Sequence, residues 1–380
     1  MPSSLHIDSH PGWGGGQAQS LGLAVALAAR GEETWFVAQP GSELESRLRN
    51  SYLRWETMPL RGLAGLRSLR HLARRLTELQ PDIIHIHESA SHVIAGLAAR
   101  MAYRTLPPAD RHQASGGALR ARGPKIIATR RTEAPLRRSW LGRAKYLLWC
   151  DRLICVSEAI RTRCLAAGLP ESLLTVIPDF VDCRYFDPGV GQESAAGADS
   201  PTILTVGRLT ASKGHRVLLR AMREVVRRMP SARLLVCGTG EEEAALRRQA
   251  RALGLGDRVE FLGFAPDVRR VLAQADVFVM PSLSEGLGVA VLEAMAMAKP
   301  VVASDAGGLP ESVIHGETGL VVAAGDSRAL AEALLDLLND PERAKKMGQA
   351  GRERALSHYD RPRIVERITA LYDQVLAGRT

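Results

Sequence analysis

The chain is poor in aromatic residues: Phe, Trp and Tyr make up 4% of its 380 residues. A surface that binds nucleic acid interleaves cations with stacking aromatics, so nucleic acid is excluded as a partner. Cysteine is sparse and scattered, with five residues (Cys150, Cys155, Cys164, Cys183, Cys237) and no C-x-x-C pair. Neither a disulfide framework nor a zinc site is indicated, and reduced thiols are expected. No apolar run approaches the ~20 residues that span a bilayer. The opening MPSSLHIDSH has neither the basic start nor the apolar segment of a signal peptide. A cytoplasmic location is therefore expected. No D-x-D sequence occurs, so a divalent ion held by that motif is not expected. Neither a metal nor a cofactor is predicted.

What remains is an ordinary globular composition, 46% hydrophobic and 24% charged. The length suits about two domains. The formal net charge is +9, and it is unevenly placed. Residues 1–175 hold 24 Lys+Arg and 14 Asp+Glu, leaving 26 and 27 for the remainder. The whole excess lies in the first half, which implies two domains with different partners.

Short apolar runs alternate with amphipathic helical stretches. Predicted strands in the first half are Leu5–Asp8, Trp35–Ala38, Ile83–His87, Ile126–Thr129, Leu153–Val156 and Thr175–Ile177. In the second half they are Thr202–Val206, Arg233–Cys237, Val259–Leu262, Val277–Met280, Pro300–Ala303 and Gly319–Val322. Strands separated by helices form βαβ units and parallel sheets. The expected architecture is α/β, with two Rossmann-like domains facing across a cleft. The domain spans are 1–180 and 202–359, joined by a Gly/Ser/Ala/Pro-rich linker over 181–201. A final helix within 360–380, with Ile364, Ile368, Leu371, Tyr372 and Val375 on one stripe, is expected to pack back on the first domain. Thr105–Pro124 reads as a surface loop.

Ligands of open α/β sheets bind beyond the carboxyl ends of the strands. Four segments there carry chemistry. Gly12-Trp13-Gly14-Gly15-Gly16-Gln17 lies between a strand and a helix, where glycines let backbone N–H groups approach a phosphate or sugar. It is not G-x-G-x-x-G, so a dehydrogenase is weakly supported. His85 and His87 end a strand and point to one face; they fit substrate hydrogen bonding or a structural pair better than a metal site with Glu88. Arg208 and Lys213 bracket a loop that opens a helix, where two cations can neutralise a diphosphate. The segment from Pro281 to Ala296 places Glu285 in a loop, Gly286 and Gly288 at a helix start, and Glu293 two turns into that helix. Carboxylates accept paired hydrogen bonds from vicinal hydroxyls. Gly238-Thr239-Gly240 reads as a simple strand-to-helix turn.

The strings VGRLTASKG, CGTGEE, RVEFLGF, the E-x₇-E spacing of Glu285 and Glu293, DAGGLPESV and GETGLVV resemble the donor domain of retaining glycosyltransferases of the GT-B fold, family 4, group 1 type. GGGQ, PDIIHIHES, VSEAIR and VIPDFVD extend the likeness through the first half, with Asp179 in place of the usual Asn. The resemblance implies transfer of a sugar from a nucleotide diphosphate with the anomeric configuration kept, without a catalytic metal. By position, Arg208 and Lys213 would stabilise the leaving diphosphate, Glu285 and His87 would contact the donor sugar, and Glu293 would hold the ribose. Gly15, Gly16, Gly207, Gly286, Leu287, Gly288 and Val289 would line the donor, and the base would lie near Phe264 and Ala265. Gln17, Arg130 and Arg131 would face the acceptor. The expected partners are a nucleotide sugar and a glycan or lipid-linked cell-envelope acceptor. The basic first half implies an anionic membrane surface, with the Arg130–Tyr146 segment the better candidate; the Leu/Arg helix from Leu63 to Leu79 could dock on anionic lipid but reads first as a Rossmann helix that buries its leucines. A nucleotide-sugar epimerase, a sugar phosphorylase and an inactive nucleotide-sugar sensor are the rival readings.

Overall fold

The computed structural model describes residues 2–105, 123–133, 136, 140–190 and 200–378. Most of the expected Thr105–Pro124 loop, the middle of the linker, and Arg137, Arg138 and Ser139 lie outside the described residues. The chain divides into two units, Met1–Ile177 with Ile364–Thr380, and Pro178–Arg363.

The first unit is built on seven parallel strands: β1 (Ser4–Asp8), β2 (Thr34–Ala38), β3 (Arg54–Thr57), β4 (Ile83–Ile86), β5 (Lys125–Arg130), β6 (Arg152–Cys155) and β7 (Leu174–Val176). Their order is β3-β2-β1-β4-β5-β6-β7. β1, β2 and β4 are buried along their whole length, as expected of parallel strands covered on both faces. β3 was not expected. It reads Arg-Trp-Glu-Thr, an edge strand only partly buried, so it lacks the apolar run that marks the others.

The second unit has six parallel strands: β8 (Thr202–Val206), β9 (Arg233–Cys237), β10 (Val259–Gly263), β11 (Val277–Met280), β12 (Val301–Ser304) and β13 (Gly319–Val322). Their order is β10-β9-β8-β11-β12-β13. One core of buried Val, Leu, Ile, Ala and Met residues from the strands and flanking helices runs beneath this sheet.

Both sheets start at a central strand, run outward to one side, and then restart on the other. The reversal falls between β1 and β4 and between β8 and β11. These are the topological switch points where such sheets bind ligands. The helix Arg361–Leu376 buries Ile364, Ile368, Leu371, Tyr372 and Val375, and from Ile364 onward it belongs to the first unit. Among the described residues no helix is long and apolar enough to cross a membrane.

Candidate active site

At the first switch point, β1 ends at Asp8 and the glycine loop leads into the helix Gly15–Ala29. That helix has no side-chain N-cap and no acid in its first turn. Its first N–H groups stay available to an anion, and its dipole favours one. Gly15 is exposed and Gly16 half-buried, while Gln17 is buried. The Gln17 amide N–H₂ points at the Asp8 carboxylate at 3.4 and 3.5 Å. Ser20 Oγ donates to Asp8 at 2.8 Å and the His10 N–H at 3.1 Å. Burial raises the Asp8 carboxyl above its ordinary range, against the pull of these donors and of Arg131. Asp8 was not singled out in the sequence. Its signal was a polar residue closing an apolar strand.

β1 and β4 pair with His6 opposite His85. The period-2 pleat puts His6, His85 and His87 together on one face. All three are buried. His6 Nδ1 lies 2.9 Å from His87 Nε2, and His6 Nε2 lies 3.2 Å from Ser4 Oγ. His85 meets Tyr372 Oη at 2.6 Å and Thr129 Oγ1 at 2.7 Å, and its ring stacks on His87 with centroids 4.1 Å apart. Their ligand atoms lie within 4.8 Å of one another. Yet both nitrogens of His6 and both of His85 are committed to hydrogen bonds, and the facing His6 and His87 nitrogens share a proton. Desolvation holds His6 down at about 3 and keeps His85 and His87 well below the usual histidine range, so all three are neutral. Glu88 turns to Ser9 Oγ at 3.0 Å and the Ala90 N–H at 2.7 Å.

Two expectations for β5 and its neighbours need correction. Arg130 is 8% exposed and hydrogen-bonds the buried Tyr146 hydroxyl. Neither is a surface group: both are buried, and the Tyr146 ring also packs edge-on against His92. Arg131 is half-buried, with Nη1 3.5 Å from His87 Nδ1 and its stem beside Gly16. In the helix Gly62–Leu79, Leu72 and Leu76 are buried while Leu66, Arg67, Arg70 and Arg74 are exposed.

At the second switch point the loops after β8, β9 and β11 pack backbone to backbone. Gly214 has φ +69°, and a Cβ there would lie 1.8 Å from the Pro281 carbonyl oxygen. Gly238 has φ +138°, and a Cβ would lie 1.9 Å from the Gly207 oxygen. Only glycine fits either place. The Gly-Thr-Gly turn is therefore a packing device that seats the Gly207–Lys213 loop.

Lys213 forms an ion pair with Glu285, and Ser282 Oγ reaches the same Glu285 oxygen at 3.2 Å. Arg208 is exposed and has no ion pair among the described residues. The helices His215–Arg228 and Val289–Ala296 start at Gly214 and Gly288 with no side-chain cap and no acid in the first turn. By contrast Ser42, Ser157, Asp267, Asp326 and Asp340 cap helices elsewhere. Gly286, Leu287 and Gly288 are buried, with Val289 half-buried, so this segment offers backbone rather than side chains. Glu293 lies on the same helix, beside Cys237, whose thiol accepts from the Ala265 N–H. Burial pushes Glu293 up to about 8. Phe264 stands 52% exposed at the end of β10.

The family profile "Glycosyltransferase Family 4" matches residues 13–185, and "Glycosyl transferases group 1" matches residues 191–354. The lipopolysaccharide core biosynthesis glycosyltransferase LpsE of Rhizobium meliloti is 32% identical over 62% of this chain and 67% of its own length. The chain belongs to the group 1, family 4 glycosyltransferases. A GDP-mannose-dependent alpha-(1-6)-phosphatidylinositol monomannoside mannosyltransferase of Mycolicibacterium smegmatis is 38% identical over 55% of this chain and 58% of its own length. The chain thus spans less than two thirds of that relative. Among solved structures, Anabaena HepE in complex with UDP-glucose superposes with a TM-score of 0.84 at 20% identity, covering 98% of this chain and 100% of that one. The fold of this family member is GT-B.

Proposed function

We propose that this glycosyltransferase-family chain transfers a sugar from a nucleotide diphosphate sugar to a cell-envelope acceptor, glycan or lipid-linked, with retention and without a catalytic metal. The observation that carries the reading is the pairing of Lys213 with Glu285 beside exposed Arg208, above two uncapped helix starts. Negative charge grows on the diphosphate as the glycosidic bond breaks. Cations and backbone N–H groups fixed in advance stabilise it most where it grows. Glu285 then serves twice, holding Lys213 in place and offering its carboxylate to donor hydroxyls. Glu293 receives the ribose hydroxyls, and Phe264 with Ala265 lies near the base.

His87 carries the contact to the donor sugar, and Gln17 and Arg131 carry contacts to the acceptor. Arg130, buried next to Arg131 in sequence, supports that side of the site. Retention without a protein nucleophile fits attack from the leaving-group face, with a donor phosphate oxygen taking the acceptor proton. The absence of D-x-D supports metal independence. The named relatives support an envelope acceptor, and the exposed arginines of the helix Gly62–Leu79 support docking of the first unit on an anionic membrane. A screen of nucleotide release over UDP-, GDP- and ADP-sugars tests the reading. An epimerase would convert the donor without any acceptor.

A further inference from the structure

We infer that His6, on β1, is a positioning residue that fixes the tautomer and ring orientation of His87. The inference rests on the donor-sugar role proposed for His87. Its direction follows from donor chemistry. Arg131 can only donate, and its Nη1 faces His87 Nδ1 at 3.5 Å. His87 Nδ1 is therefore the lone-pair nitrogen, and its proton sits on Nε2. That proton is given to His6 Nδ1 at 2.9 Å, so His6 carries its own proton on Nε2 and gives it to Ser4 Oγ at 3.2 Å. The chain of bonds has one consistent polarity, from Arg131 through His87 and His6 to Ser4.

The ring cannot easily turn. His85 stacks on it at 4.1 Å and His6 lies parallel at 5.2 Å. His85 is itself pinned at both nitrogens by Tyr372 and Thr129. With Nε2 committed to His6, Nδ1 is the ring's acceptor, and a donor-sugar hydroxyl would take it in place of the long 3.5 Å Arg131 contact. Second partners that set a histidine tautomer are recognised elsewhere as functional supports.

The test uses the full-length chain labelled with 15N-histidine, with the His87 signals assigned by their loss in His87→Gln. In the wild type at pH 7, His87 should show a single neutral tautomer protonated at Nε2. His6→Leu removes the acceptor and should yield a tautomer mixture, with turnover lower by about 10- to 100-fold and acceptor KM unchanged. His6→Asn puts an oxygen where Nδ1 stood and should restore the single tautomer and most of the turnover. A wild-type His87 protonated at Nδ1, or charged, would overturn the inference whether or not the His6 variants fold. So would a folded His6→Leu with unaltered tautomer and turnover. The spectra need no donor, so loss of the relay is separable from loss of the glycosyl-transfer reading.

Discussion

Lys213 and Glu285 neutralise each other at the carboxyl edge of the second sheet, and Ser282 donates to the same carboxylate oxygen that meets the lysine. The pair is partly buried, with 22% and 13% of the two side chains exposed. On the proposed function an incoming diphosphate meets an ammonium already placed. Lys213→Ala should lower turnover by about 10²–10³-fold, the scale seen when one preorganised group facing developing charge is removed. Circular dichroism and melting should stay near wild type. Steady-state nucleotide release measures the first, and unchanged turnover would remove Lys213 from the mechanism.

Glu285→Gln should act differently. It leaves a half-buried ammonium without its counter-charge and weakens the hold on donor hydroxyls. Donor KM should rise and kcat should fall together. A variant with wild-type values of both would show that the carboxylate is only a loop residue.

Glu293 gives a pH test with a definite sign. Its pKa is about 8 when folded, against an ordinary value of 4.5. Between those values the folded chain binds more protons than the unfolded one, so this group costs stability as pH rises through that window. Glu293→Gln should gain in Tm relative to wild type as pH goes from 5 to 9. A difference that is flat with pH would contradict the assigned burial. The same variant should weaken donor binding, since an amide cannot ionise, as the carboxyl can when the donor binds, to accept from two ribose hydroxyls.

Gly238→Ala places a Cβ 1.9 Å from a backbone oxygen at a φ that only glycine adopts freely. A loss of about 3 kcal/mol is expected, the upper end of overpacking costs. Chemical denaturation measures it. A variant of wild-type stability would mean that the Gly207 loop is not seated on this turn.

These contrasts show what the sequence could and could not reveal. β8, β9, β11 and β13 could be read to the residue, because each is an apolar run closed by glycine, proline or a polar loop. β3 could not, because an exposed edge strand needs no such run. Arg208, Lys213 and Glu285 stood out by spacing within loops that follow strands, and Glu293 by its spacing from Glu285 on the helix that one of those loops opens. His6 and Asp8 did not, since their meaning depends on strand register, which pairs residues far apart in the chain. Arg130 looked like a surface cation, but it lies buried against the Tyr146 hydroxyl on a helix later in the chain.

Membrane docking makes a salt-sensitive expectation. Arg67, Arg70 and Arg74 are exposed on the helix that also exposes Leu66. Flotation should favour vesicles with anionic lipid over neutral ones, and the preference should fade as salt rises. Equal flotation with both would remove the membrane from the proposal.

The most direct measurement is nucleotide release by the purified chain over UDP-, GDP- and ADP-sugars, with and without an envelope glycolipid extract as acceptor, beside Lys213→Ala. Acceptor-dependent release from one donor class, lost in Lys213→Ala, is the expected result. Donor conversion without acceptor, or release that Lys213→Ala leaves intact, would contradict glycosyl transfer at this site.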